Sequence, residues 1–331
     1  MTPQPAIYLG AYASMPNELR SEPSTNIAYL REAAARTGCA GLEVPWGSAT
    51  FSPDPGALST LLGEGGSHVL TLVAATMEAR ARHDVGLASL DPRGRAAAVE
   101  LVRDAYQASV ALGSSPDGRP VIRAVEVQSA ASVHLDRIDD HTRAFAESLA
   151  EIAGWNWHGT ELLVEHCDAA TGVRPVKGFL PIEAELTAIE QNSGCPTPLA
   201  LGINWGRSVL EARDVRSATR HARLAADAGR LGALAFSGVA AVDTVRGPAW
   251  GDSHIAARGP LAASAGLGES LLGEPEVDAF LRAGRVRSAA SSEPLVIVKV
   301  AAAPGLPSPI DIVAETFALV AGRITKSLLT V

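Results

Sequence analysis

Eight short apolar runs alternate with helix-like segments along this chain, and that alternation narrows the folds open to it more than any other feature. The runs are Ala6–Ala13, Gly41–Trp46, His68–Thr76, Arg123–Ala130, Glu161–Asp168, Leu199–Ser208, Gly232–Ala240 and Pro294–Ala302. Stretches such as Val69-Leu70-Thr71-Leu72-Val73 and Leu295-Val296-Ile297-Val298 are continuously apolar, the pattern of strands covered on both faces. A βαβα order predicts a parallel sheet wrapped by helices. Eight units predict an α/β fold, a closed (β/α)8 TIM barrel, as one domain over residues 1–331. In such a barrel the chemistry sits on the connections that follow the carboxyl ends of the strands.

Helix boundaries carry their own signals. Ser24, Thr25 and Asn26 precede a predicted helix over Ile27–Arg36, which Gly38 follows. Asp91 and Pro92 open Arg93–Leu112, and Gly113 closes it. Further helices are predicted over His141–Ala153, Pro181–Asn192, Asp214–Ala228 and Ser308–Ala321. Two connections exceed the usual length: Met77 to Leu90 after the third run, and Ala241 to Ser270 after the seventh. Both would lie over the catalytic face. Gly247, Gly251, Gly259, Gly266 and Gly268 suit the second to a mobile lid or a passive insertion.

A net charge of −8 with mixed signs argues against a nucleic-acid surface, which needs a basic stripe. No apolar run reaches the roughly 18 residues of a membrane span. Nothing at the amino terminus resembles a secretory signal. Cys39, Cys167 and Cys195 form an odd set without CxxC spacing, so neither a disulfide framework nor a structural zinc site is expected from them. The expected setting is cytoplasmic, with neither nucleic acid nor membrane as partner; a homo-oligomer stays open.

The fifth run ends Glu165-His166-Cys-Asp168. Three titratable groups closing an apolar strand must be paired, ligated or wet. A carboxylate and an imidazole serve acid/base chemistry or hold a divalent ion. The sixth run ends Asn204-Trp205-Gly-Arg207: an amide, an indole face and a guanidinium suited to a sugar with an anionic group. Glu43 and Trp46 end the second run and Tyr12 the first. Glu126 and Gln128 alternate with valines on the fourth, so they share one face, whether toward the barrel interior or toward the helices. Asp252 and His254 sit on the long seventh connection. Lys299 interrupts Leu-Val-Ile-Val on the eighth run, where it either pairs with Glu165 or Glu43 or acts as a base or imine-forming lysine. The other histidines, His68, His83, His134, His141, His158 and His221, read as surface or structural groups.

With these residues placed, the chain resembles the xylose-isomerase-like barrel superfamily of sugar-phosphate isomerases and epimerases, and within it an uncharacterised bacterial family with Leu-Gly-Ala-Tyr near the start. The strand order, Gly-Leu-Glu43 and Glu165 carry the resemblance over nearly the whole chain. It implies a divalent metal held by Glu, Asp, His and Glu from strands five to eight. Here those positions fall on Glu165, Asn204, Ser237 and Lys299, so three of the four ligands are replaced. A rebuilt metal site would draw on Glu165, His166, Asp168 and His254.

The reading that follows is isomerisation or epimerisation of a small sugar or sugar acid, phosphorylated or not, by proton transfer next to a carbonyl. Glu165 and His166 would exchange protons, with His254 or Asp252 as a second acid/base. Lys299 and Asn204 would stabilise oxyanion charge, and Tyr12, Trp46, Trp205 and Arg207 would hold the substrate. The alternatives are a Schiff-base aldolase or lyase using Lys299 and a non-catalytic sugar-binding barrel.

Overall fold

A computed structural model of the protein describes residues 6–20, 23–49, 55–63, 66–81, 84–285, 293–301 and 309–329. The apolar runs become β1 (Ile7–Gly10), β2 (Gly41–Pro45), β3 (His68–Thr71), β4 (Ile122–Val127), β5 (Glu161–His166), β6 (Leu199–Asn204), β7 (Leu231–Phe236) and β8 (Leu295–Lys299). Each strand pairs in parallel with the next, and β8 returns to β1 from Ile7–Val296 to Gly10–Lys299, closing the barrel. The described helices are α1 (Asn17–Arg20), α2 (Pro23–Thr37), α3 (Pro55–Gly63), α4 (Val73–Arg80), α5 (Pro92–Leu112), α6 (Ile138–Ala153), α7 (Ile182–Gln191), α8 (Trp205–Ala212), α9 (Arg216–Asp227), α10 (Pro260–Ser264), α11 (Glu274–Arg285) and α12 (Pro309–Leu329). None of them is long and apolar enough to cross a membrane.

Several boundaries differ from expectation for identifiable reasons. The sixth run stops at Asn204, whose Oδ1 accepts a hydrogen bond from Arg207 N at 3.3 Å and caps α8. The third run ends at Thr71, and its tail becomes α4, which takes in only the start of the connection expected after it, residues 77–80. Pro23 opens α2, which puts Ser24, Thr25 and Asn26 in its first turn rather than before it. Asp91 does cap α5, accepting from Arg93 N at 3.0 Å, with Pro92 in the first turn. The last helix runs past Gly322 to Leu329 and buries Ile324. His83 and Ser308 lie outside the described residues.

The strand faces divide the chemistry. Outward residues such as Leu42, Val44, Val125, Val164, Ile203 and Phe236 pack against the helices in the main core. Inside, Tyr8, Val69, Ala124, Leu163, Ala233, Ala235, Leu295 and Ile297 form a separate buried cluster with Ala200 beside it. Small residues of β6 and β7 face bulky ones from β1, β5 and β8, and the lumen is filled. Two residues further along, on the same faces, stand Gly10, Thr71, Glu126, Glu165, Ser237 and Lys299. The apolar plug therefore gives way to a polar layer at the carboxyl ends of the strands.

Gly41 shows how tight this wall is. A Cβ there would fall on the Ser67 carbonyl oxygen and 3.1 Å from Tyr8 Cε1. Gly41→Ala is expected to cost about 1–3 kcal/mol of stability, read as a lower urea midpoint. An unchanged midpoint would mean the β2–β3 approach is looser than described.

Candidate active site

The polar layer is an ion-paired network centred on Glu165. Its Oε1 lies 2.5 Å from Arg207 NH1 and 3.4 Å from Lys299 Nζ, and accepts from Asn204 Nδ2 at 3.3 Å. Its Oε2 accepts from Gln128 Nε2 at 3.2 Å. Lys299 Nζ also lies 2.5 Å from Glu43 Oε1. Gly10, having no side chain, leaves the space that Glu43 Oε2 and the Lys299 stem occupy. Ser237 donates to Asn204 Oδ1 at 2.7 Å. Glu43, Glu126, Glu165, Arg207 and Lys299 are all buried.

This crowding fixes the charges. Burial opposes ionisation of Glu165, yet the Arg207 guanidinium and the Lys299 ammonium outweigh it and hold the carboxyl well below the usual carboxylate range. Burial likewise works against the Lys299 charge, but Glu165 and Glu43 raise its pKa well above that of an ordinary lysine. Glu126 is pushed well up by burial and by the neighbouring Glu165 and Glu43 carboxylates, which favours its neutral form. Lys299 is thus a buried structural cation. It lacks the depressed pKa that imine formation requires.

His166 corrects the expected proton-exchange pair. Adjacent residues of a strand face opposite ways, so Glu165 points inward and His166 points toward the helices. His166 Nδ1 lies 2.8 Å from Glu185 Oε2 of α7, and Nε2 lies 3.1 Å from Glu211 Oε2 of α8. Burial alone would lower its pKa; Glu185 and Glu211 overcome that and lift it to about 10. Asp168 is engaged by the connection after β5, its Oδ2 accepting from the backbone of Val176 at 2.6 Å and of Lys177 at 2.7 Å and its Oδ1 lying 3.9 Å from Lys177 Nζ. The rebuilt metal set of Glu165, His166, Asp168 and His254 therefore does not assemble. Nor do Glu165, Asn204, Ser237 and Lys299 fit a divalent ion. Only one of the four is a carboxylate, both its oxygens are engaged, and an ammonium and a guanidinium stand where a cation would bind.

Above this network lies an open cavity of about 360 Å³, lined by Tyr12, Arg20, Arg246, Asp252, His254 and Ala301 among others. Tyr12, Asp252 and His254 were named from sequence, and the structure brings them together here. Lys177 forms an ion pair with Asp252, and Arg207 Nε approaches Asp252 Oδ2 at 3.4 Å. Burial disfavours the Asp252 charge, but Lys177 and Arg207 hold its pKa well below the carboxylate range. His254 Nε2 lies 3.6 Å from Asp252 Oδ1, and its buried Nδ1 has no hydrogen-bond partner in the described structure. Burial lowers the His254 pKa to about 3, with Arg207 and Lys299 adding to the effect against Asp252. The ring is neutral at ordinary pH.

The loop that carries this pair is held under strain. Trp250 and His254 adopt φ of 60° and 48°, a left-handed region costly to residues with a Cβ. The His254 carbonyl accepts from Ala301 N at 2.6 Å, which ties the loop to the end of β8. Tyr12 projects from the other side, its ring centroid 5.8 Å from Lys299 Nζ. Burial, then Glu43, raises the Tyr12 pKa, so the phenol keeps its proton.

Of the expected substrate contacts only Tyr12 lines this cavity. Trp205 is fully buried in the main core, because α8 begins at that residue and turns its ring inward. Trp46 packs against the same core and does not line the cavity. Glu43, Glu126, Gln128, Asn204 and Arg207 stand beneath the cavity rather than in its lining. Sequence reasoning missed Arg20 and Arg246. Arg20 is braced by the carbonyls of Met15, Tyr12 and Ala13 at 3.1–3.4 Å. Burial lowers the pKa of both guanidiniums, and for Arg246 the Arg20 charge adds to it. Their position on connections after β1 and β7 was the available signal.

Known proteins bear on the fold. An uncharacterised protein of Salmonella typhimurium, STM3670, is 38% identical over 187 residues, 56% of this chain and 57% of that protein, so the match spans little more than half of this relative's length. The solved structure of an L-ribulose 3-epimerase has a TM-score of 0.59 at 16% identity, covering 99% of this chain and 98% of its own. That of a D-allulose 3-epimerase from Methylomonas sp., in complex with D-allulose, gives 0.55 at 15%, with the same coverages. At such identities the likeness concerns architecture alone, and it agrees with the (β/α)8 barrel expected from sequence. Residues 8–305 match the family profile described as a domain of unknown function, DUF4862. The chain belongs to that family.

Proposed function

We propose that this protein is an isomerase or epimerase that moves a proton at the carbon beside the carbonyl of a small, anionic sugar derivative. The observation that carries the reading is the cavity where a neutral His254, set against an ionised Asp252, meets Tyr12 and two arginines. His254, held neutral with its Nε2 3.6 Å from Asp252 Oδ1, is the group that accepts the substrate proton. The Tyr12 hydroxyl, still protonated, donates to the developing enolate oxygen, and the Lys299 ammonium behind it favours negative charge there. Arg20 and Arg246 draw in a phosphate or carboxylate group. The solved barrels similar in shape, an L-ribulose 3-epimerase and a D-allulose 3-epimerase, support this reaction class.

The test is proton NMR in deuterium oxide with a panel of phosphorylated and carboxylated ketoses and aldoses. At least one anionic member should lose the proton signal next to its carbonyl, while its neutral parent does not. Calorimetric binding of an anionic member without any exchange would overturn catalysis in favour of a sugar-binding barrel. A borohydride-trapped adduct on Lys299 would overturn it in favour of imine chemistry.

A further inference from the structure

On the outer side of the barrel wall, away from the cavity, three side chains from consecutive elements converge. His166 comes from β5, Glu211 from the last turn of α8 and His221 from the middle of α9. One ligand atom of each lies within 4.8 Å of the others. Glu211 turns one oxygen to each ring: Oε2 is 3.1 Å from His166 Nε2, and Oε1 is 3.8 Å from His221 Nε2. The rings meet edge to face with centroids 4.9 Å apart. We propose that these two imidazoles and the Glu211 carboxylate form a binding site for a divalent ion of the zinc class.

The donor set is two imidazole nitrogens and one carboxylate, three protein ligands that leave a fourth position for water, and His166 gives up its Nε2 proton when the ion binds. Ligands around tetrahedral zinc stand roughly 3.3 Å apart, so the 3.1 and 3.8 Å separations need little adjustment and only the two rings must draw closer. The surroundings are those of ligating histidines, whose other nitrogen is usually fixed by a second group. His166 Nδ1 is engaged by Glu185 Oε2 at 2.8 Å, and Ser129 Oγ donates to Glu185 Oε1 at 2.6 Å. His221 Nδ1 meets Ser208 Oγ at 3.1 Å. Both rings thereby turn Nε2 toward the carboxylate. The His166 and His221 side chains are 0% and 4% exposed, whereas Glu211 is 13% exposed and marks the route by which an ion arrives.

An ion here would brace the mouth from behind. Glu211 Oε2 accepts from Ala169 N at 2.9 Å, and the Glu211 carbonyl accepts from Val173 N at 2.7 Å. Both partners belong to the connection after β5, which also carries Lys177, the ion-pair partner of Asp252. Clamping β5, α8 and α9 together would fix the segment that positions that lysine. The site shares no ligand with the cavity, so it stands or falls separately from the proton-transfer reading.

Elemental analysis after dialysis against zinc and then metal-free buffer should find about one zinc per chain. Cobalt(II) titrated into the metal-free wild-type protein should give a visible absorption band that saturates at about one equivalent. Glu211→Gln and His221→Ala should abolish the band. Glu185→Gln should weaken cobalt binding by about 10–100-fold. Zinc and cobalt should also raise the melting temperature of the wild type but not of the variants. Substoichiometric zinc together with no cobalt band in the wild type would overturn the proposal, whether or not any variant folds. So would a Glu211→Gln protein that binds cobalt as tightly as the wild type; in that case the cluster is a hydrogen-bonded imidazole between two carboxylates.

Discussion

Replacing Lys299 by methionine is expected to lower the free energy of unfolding by about 3–5 kcal/mol, the cost of removing one partner from a buried ion pair. The stem of the side chain can be mimicked, so the loss isolates the ammonium. Without it Glu43 loses the cation 2.5 Å from its Oε1, and Glu165 keeps Arg207 alone. Both carboxylates are buried, so neither recovers the loss from water. Glu43 is the more vulnerable, since burial already pushes its pKa up against the pull of Lys299. Adding Glu43→Gln should restore part of the stability by removing the charge left without a partner. Urea or thermal unfolding of the single and double variants checks both statements. A single variant within about 1 kcal/mol of wild type would mean that the network carries little of the fold's stability.

Changing His254 to asparagine should reduce the substrate exchange rate by about 10²–10⁴-fold, the usual contribution of a positioned general base. Asparagine suits the test because it tolerates the left-handed backbone that His254 adopts. The unfolding midpoint should hardly move, which separates lost chemistry from lost structure. The pH profile gives a second reading. The folded pKa of His254 is lowered to about 3, so the base form is lost only as pH falls toward that value. The wild-type rate should therefore stay level as pH drops through about 6.5, where a free imidazole titrates. The same shift bears on stability with a definite sign: the unfolded chain takes up this proton near pH 6.5 and the folded chain does not, so stability falls as the solution is acidified below that point. A kinetic limb near 6.5 that vanishes in the variant would show His254 to be far more solvated than the structure has it.

The barrel was legible because strands buried on both faces advertise themselves as unbroken apolar runs. Glu126 and Gln128 do share the interior face, where Gln128 donates to Glu165, as their alternation with valines implied. The same period-two rule would have separated Glu165 from His166, but treating them as one cluster hid it. Trp205 was misplaced for a different reason: the apolar run continues past the end of β6 into a helix, and hydrophobicity alone does not mark that junction. Arg20, Arg246 and Lys177 carry no local signal that distinguishes them from solvated surface cations. Glu185, Glu211 and His221 sit on helices, and only the packing of α7, α8 and α9 onto the wall brings them to His166.

The filled lumen beneath the polar layer makes this barrel a blind well. Whatever the mouth admits must depart by the same door, since among the described residues Tyr8, Leu163, Ile297 and their neighbours plug the way to the opposite end. On the reading proposed above, an accumulating product would compete with its own precursor for that single threshold.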